Sequence, residues 1–210
     1  FNCYGMPGGN TNAQMGGWFR KPITKMDDLK GLKFRLGGFA GKIMQRVGVI
    51  PQQIAGGDIY PALEKGTIDG AEWVGPHDDE KLGFYKVAKF YHYPGWWEPS
   101  SCLMFVVNLD KWNSLPPFYK EALTSACLEV NNWVATKYDA SNAAALKRLA
   151  GQGVVLQPFS PEVMDGCHKA AGELWRSRFD AERNLVVINN GHRDFVYAAR
   201  NKMLKLRYVC

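Results

Sequence analysis

In the stretch GTIDGAEWVGPHDDE, residues 66–80, a carboxylate, Glu72, stands beside a large aromatic, Trp73, at the end of a run that reads as a buried strand. A buried carboxylate costs free energy unless a cation or several hydrogen-bond donors meet it. Gln14, Arg35 and Glu98 occupy comparable places, at strand ends and glycine-rich loops. Such places are where α/β proteins gather the polar groups of a ligand site. Each residue also has a plainer reading. Arg35 could be a surface strand residue, Glu72 could pair with a nearby lysine, and Glu98 could be an exposed loop carboxylate.

The motifs of covalent catalysis are missing. The chain contains no G-x-S-x-G, H-E-x-x-H or G-x-x-x-x-G-K-[ST]. GGFAGK, residues 37–42, enters a helix through glycines and could meet an anion there, but it lacks the dinucleotide fingerprint spacing. His77, His92, His168 and His192 are scattered and read as surface or core residues. Asp78, Asp79 and Glu80 form an acidic run without the twelve-residue calcium-loop pattern, so a solvated loop or helix cap is expected. Five cysteines include no C-x-x-C pair and read as small buried hydrophobes, with Cys210 a chain-end exception.

The elements that must position these groups alternate between strand and helix. GLKFRLGG (31–38) reads as a strand with Lys33 and Arg35 on one face and Leu32, Phe34 and Leu36 on the other. FAGKIMQRVGV (39–49) reads as a helix. GDIYPALEKG follows as a short helix with Asp58 as N-cap and Gly66 as its stop, and TIDGAEWV as the next strand. Residues 3–17 read as loop, and Cys102–Asn108 as an apolar strand. From Phe118 the apolar positions recur near a 3.6 period to Leu149, which predicts a helix roughly 45 Å long at ~1.5 Å per residue. VVLQPFS is a strand, and Ser160-Pro161-Glu162 caps a further helix. The order argues for an α/β fold.

The composition, 46% apolar and 22% charged, is that of a folded protein. The longest apolar run, Cys102–Val107, is too short to span a bilayer. The chain begins at Phe1 with no signal peptide in view, so its natural start is expected upstream. Of the formal charge of +6, residues 176–210 contribute +5, from eight basic and three acidic side chains. A solvated amphipathic helix is the preferred reading of this tail over a nucleic-acid surface.

AQMGGWFRK (13–21), the long segment from Gly31 to Phe84 that contains GGDIYPALEKGTIDGAEWVGP, and YHYPGWWEP (91–99) together resemble the extracytoplasmic solute-binding proteins of TRAP transporters. The likeness runs over roughly residues 5–175 and is strongest to the branch that binds 2-oxo acids such as pyruvate. It implies a periplasmic-binding-protein-like fold of two α/β lobes with a long bracing helix. Members carry about 300 residues or more, a length suited to one bilobal domain. The chain is therefore expected to be a C-terminal fragment lacking the N-terminal part of the first lobe. Residues 1–72 would form the second lobe with the ligand and metal cleft. Residues 73–110 would be crossing strands and the rest of the first lobe, 111–175 the bracing helix and the return, and 176–210 a basic helical tail.

The resemblance also implies roles. Arg35 would hold the ligand carboxylate, as a planar guanidinium does bidentately. Gln14, Glu72 and the backbone carbonyl of Trp73 would bind a metal cation together with the ligand, and oxygen donors suit Na⁺ or, alternatively, Ca²⁺. Trp73, Trp96 and Trp97 would wall the pocket, and Glu98 would add a ligand contact. The implied protein is not an enzyme. It is a periplasmic receptor that closes on a small carboxylate and delivers it to the membrane components of a transporter, without nucleic acid, and a homodimer stays open. The alternatives are a binder of a 2-hydroxy acid such as lactate with calcium, and a metal-dependent enzyme acting on carboxylates.

Overall fold

Strand β1 (Cys3–Asn10) opens the chain where the glycine-rich composition predicts a loop. It pairs antiparallel with a later strand, and its glycines make room for that strand's side chains. A Cβ on Gly8 would run into the ring of Phe105, and one on Gly5 would stand 2.5 Å from Met104 Cε. The computed structural model describes residues 1–182, 196–199 and 202–205.

After β1 come β2 (Gly17–Phe19), β3 (Lys33–Arg35), α1 (Gly38–Arg46), β4 (Ile50–Gln52), α2 (Gly56–Lys65), β5 (Gly70–Ala71) and α3 (Pro76–Leu82). Then follow β6 (Phe90–Tyr93), β7 (Cys102–Asn108), α4 (Leu109–Ser114), α5 (Pro117–Gly151), β8 (Val155–Pro158) and α6 (Pro161–Glu182). Six strands form one sheet in the order β4-β3-β5-β2-β6-β8. Its pairings are parallel except on the two sides of β2, which runs antiparallel to β5 and β6. β1 and β7 form a separate two-stranded ribbon.

Adjacent residues of a strand face opposite sides of its sheet. Trp18 and Phe19 in β2 show it. Trp18 enters a core with Ile59, Leu63, Phe84, Tyr91 and Leu149. Phe19 enters another with Phe34, Leu36, Met44, Phe159 and Val163. The predicted alternation across β3 holds, with Phe34 fully buried and Lys33 exposed.

The predicted long helix is α5, of 35 residues. Ser160 caps α6 as expected, its Oγ accepting from Val163 N at 3.3 Å. Several boundaries differ, with β3 shortened to Lys33–Arg35 and α1 ending at Arg46, and two have a local reason. Helix α2 starts at Gly56 with Ala55 as its cap, which puts Asp58 in the first turn, where its charge still suits the helix dipole. Strand β5 is only Gly70–Ala71, because the chain turns away at Glu72. Of the expected helical tail, α6 reaches Glu182, and β9 (Val196–Ala199) and β10 (Lys202–Lys205) pair antiparallel in place of helix. Valine and tyrosine at 196 and 197 are strand formers.

Helix α5 grips α3. Asn142 Oδ1 accepts from His77 N at 3.0 Å, Tyr138 donates to Asp78 at 2.5 Å, and Arg148 forms a forked pair with Glu80 at 2.8 and 2.6 Å. Both faces of the β1–β7 ribbon carry exposed apolar side chains, with Leu103 and Phe105 on one and Met104 and Val106 on the other. Cys127 and Cys167 are buried as expected, whereas Cys3 and Cys102 are exposed at opposite ends of that ribbon.

Candidate functional site

Three strand ends converge on one place. In β3, Arg35 pairs in register with Ala71 of the parallel β5, so Glu72 emerges beside it and its N–H donates to Arg35 O at 3.0 Å. β2 runs antiparallel to β5, with Trp18 opposite Ala71. The residues that lead into β2 therefore pass the exit of β5, and Met15 N donates to Val74 O at 3.0 Å. This brings Gln14 to Glu72 and Trp73. Gly95 lets the chain cross here, since a Cβ on it would stand 2.6 Å from Gln14 Cγ.

The Gln14 amide nitrogen donates to Glu72 Oε1 at 2.5 Å and to the Trp73 carbonyl at 3.1 Å. Its own Oε1 is buried without a hydrogen-bond partner. Arg35 Nη1 reaches Glu72 Oε2 at 3.1 Å and the Glu72 carbonyl at 2.6 Å, and Nε donates to Ile54 O at 3.2 Å. The guanidinium also lies over the Trp73 ring, 5.0 Å from its centroid. A side chain fixed at three points is already oriented before any ligand arrives, which reduces the entropy that binding must overcome.

A cavity of about 440 Å³ opens beside these groups. Arg35, Glu72, Trp73, Trp97 and Glu98 line it, together with the first turn of α1 from Gly38 to Ala40. A helix N-terminus carries partial positive charge, so it and Arg35 act in the same direction on an anion. Glu98 sits at the exposed rim, with Ser101 Oγ donating to it at 2.6 Å. Gln14 lies behind Glu72 and outside the cavity lining. Trp96 does not take the wall position expected of it. It packs inward against the cores around Phe34 and Leu174, and Trp97, set at 80° to it, faces the cavity.

Burial pushes the Glu72 carboxyl up to about 7, against the pull of Arg35 and with Glu98 and Asp79 adding to the rise. The carboxylate is thus held where only a further positive charge would make its ionised form comfortable. Gln14 Oε1, Glu72 and the Trp73 carbonyl make an oxygen-only donor set with one formal negative charge, suited to a hard cation. A glutamine amide can present either its nitrogen or its oxygen to the same neighbours. With nitrogen inward it bridges the two oxygens. With oxygen inward, all three oxygens need a cation between them. Among the described residues no cluster of three His, Cys, Asp or Glu exists, and this set would not form one, having a single carboxylate.

Sequence reasoning missed Asp79. It belongs to the acidic run expected to be solvated, yet it is 1% exposed. Its Oδ2 accepts from Trp18 Nε1 at 2.9 Å and Tyr91 Oη at 2.7 Å, and its Oδ1 from Val74 N at 3.1 Å. Burial pushes it up to about 6, and those donors pull the other way. A signal was available. Three consecutive residues of a helix point in three directions about 100° apart, so a helix docked on two sides must bury one of them.

The family model that matches residues 5–182 is that of bacterial extracellular solute-binding proteins, family 7, and the chain belongs to that family. A monocarboxylate 2-oxoacid-binding periplasmic protein of Nostoc sp. strain PCC 7120 is 50% identical over 175 residues, 83% of this chain and 48% of the relative. A TRAP transporter solute-binding protein from Bordetella bronchiseptica RB50 is 48% identical with a TM-score of 0.83, over 86% of this chain and 54% of that one. Its structure is a mixed-occupancy dimer, with copurified calcium and picolinate in one site and the other site apo. A TRAP periplasmic solute-binding protein from Pseudoalteromonas atlantica T6c, with bound sodium and pyruvate, is 39% identical with a TM-score of 0.82, over 87% of this chain and 56% of that one. The chain spans about half the length of these relatives.

Proposed function

We propose that this chain carries the cation and carboxylate site of a periplasmic receptor for a small 2-oxo monocarboxylate such as pyruvate. The observation that carries the reading is the meeting of Gln14, Glu72 and the Trp73 carbonyl at one point, with Arg35 fixed beside them on a cavity. A cation among the three oxygens supplies a positive centre for the ligand's oxygens. Arg35 and the α1 N-terminus then orient the ligand carboxylate, and the Trp73 and Trp97 rings exclude water. The relatives support this pairing, one with sodium and pyruvate and one with calcium and picolinate. No bond of the ligand is made or broken. The receptor closes on its ligand by lobe movement and hands it to the membrane components of a TRAP transporter. The six-stranded sheet, which includes β6 and β8 as well as β2 to β5, is the core of the lobe that bears the cleft, and α5 braces it to the β1–β7 ribbon.

Isothermal titration of pyruvate into the full-length protein, with sodium, with calcium and with neither, tests the reading. Binding that requires a cation is the expected result. Equal binding in a chelated, sodium-free buffer would remove the cation from the account. Calcium-dependent preference for lactate over pyruvate would move the assignment to a 2-hydroxy acid.

A further inference from the structure

We propose that Asp79 is a positioning residue for the cation site, holding the Trp73–Val74 peptide so that the Trp73 carbonyl faces Gln14 and Glu72. The proposal rests on the reading of that carbonyl as a cation ligand. A trans peptide is planar, and its N–H and C=O point to opposite sides. Here the N–H end, at Val74, donates to Asp79 Oδ1 at 3.1 Å, and the C=O end, at Trp73, meets the Gln14 amide at 3.1 Å. One rigid plane thus has a carboxylate at one end and the site at the other. A carboxylate on the N–H polarises the amide and concentrates negative charge on the carbonyl oxygen, which strengthens it as a donor to a hard cation.

Asp79 is itself held firmly. Trp18 and Tyr91, whose rings stack at 3.9 Å, both donate to Oδ2 from the neighbouring strands β2 and β6. All three partners of Asp79 are donors, which only an acceptor-only carboxylate satisfies in full. On the far side of α3, Asn142 holds the N–H of His77, so the helix that bears Asp79 is pinned from the brace as well. The next carbonyl, of Val74, accepts from Met15 N, which ties the same peptide segment to the neighbour of Gln14. Asp79 does not itself line the cavity, and its contribution to the site runs through the peptide to Val74.

The test uses the full-length protein labelled with carbonyl-¹³C tryptophan and ¹⁵N valine. In these 210 residues tryptophan precedes valine at 73–74 and at 133–134, so the second pair is an internal reference. Calcium, and separately sodium, is titrated with pyruvate present. The wild-type protein should show a strongly downfield Val74 amide proton, and the 73–74 signals should move on cation binding while those of 133–134 stay. Asp79→Asn should move the Val74 proton upfield and weaken calcium binding tenfold or more. Leu63→Ala, which opens a cavity in the same core, should lower stability and keep calcium affinity within about threefold.

Calcium affinity unchanged in folded Asp79→Asn would overturn the proposal. So would losses in Asp79→Asn and Leu63→Ala that track stability alone. If Asp79→Asn does not fold, the wild-type spectrum decides, because a Val74 amide proton at an ordinary shift refutes the carboxylate bond. Wild-type protein that binds neither cation removes the underlying reading together with the proposal. Cation binding that ignores Asp79 removes the proposal alone.

Discussion

Glu72 should make the cation-free protein less stable as pH rises. An ordinary glutamate titrates near 4.5, and burial lifts Glu72 to about 7. Between those values the folded chain keeps a proton that the unfolded chain releases. The sign follows from linkage: this contribution is fully present below about 4.5 and is lost as pH rises through about 7. A shift of about 2.5 units at ~1.36 kcal/mol per unit amounts to about 3 kcal/mol, of which more than ~2 falls between pH 5 and pH 8. The perturbation is Glu72→Gln, which keeps the shape and removes the titration. Urea unfolding of both proteins in chelated, sodium-free buffer gives their stabilities at each pH. Asp79, raised to about 6 mainly by burial, adds a slope of the same sign in both proteins, so the difference reports Glu72 together with its coupling to Asp79. The wild type should lose about 2–3 kcal/mol relative to Glu72→Gln over that range, and a saturating cation should restore it in the wild type alone. A difference that stays flat within about 0.5 kcal/mol would refute the claim that an uncompensated carboxylate is buried here.

Arg35→Ala should weaken pyruvate binding by about 2–5 kcal/mol in titration calorimetry, the usual cost of losing one partner of a desolvated charge pair. Gln14→Leu removes the amide that spans Glu72 and Trp73, and calcium affinity measured by the same method should fall at least about tenfold, on the scale of a lost buried hydrogen-bonding group. Phe105→Lys, among the exposed apolar residues of β7, should reduce self-association of the 210-residue chain in sedimentation velocity, because an exposed apolar strand is an adhesive surface.

The helices were legible wherever local rules decide them. The period from Phe118 to Leu149 marks α5 to within two residues at either end, and Ser160-Pro161 marks the start of α6. The short strands were harder. Two residues of β5 and three of β2 carry no periodicity of their own, and long-range pairing alone defines them. Glycines misled in β1, where they signal crossing side chains and not a turn. At the site, Glu72, Arg35, Trp73 and Gln14 were found as a set, and the structure brings them together. Both neighbouring tryptophans were expected to wall the cavity, and the residue types alone could not say that Trp97 does so while Trp96 packs into the cores. Asp79 was hidden because its partners, Trp18, Val74 and Tyr91, are gathered only by the folded sheet.

The antiparallel placement of β2 gives the site a second office. Gln14 lies 58 residues from Glu72 and 59 from Trp73 in sequence, and the pairing of Trp18 with Ala71 is what joins them. Slipping β2 by one residue would exchange the faces of Trp18 and Phe19 and carry Gln14 about 3.3 Å along the strand, out of reach of its partners. An ion held among these groups therefore recognises one strand register and no other. At a free concentration of about a hundred times its dissociation constant it would favour that register by about 2.7 kcal/mol. A cation bound as proposed would then favour correct assembly of the central sheet as well as equipping it to bind.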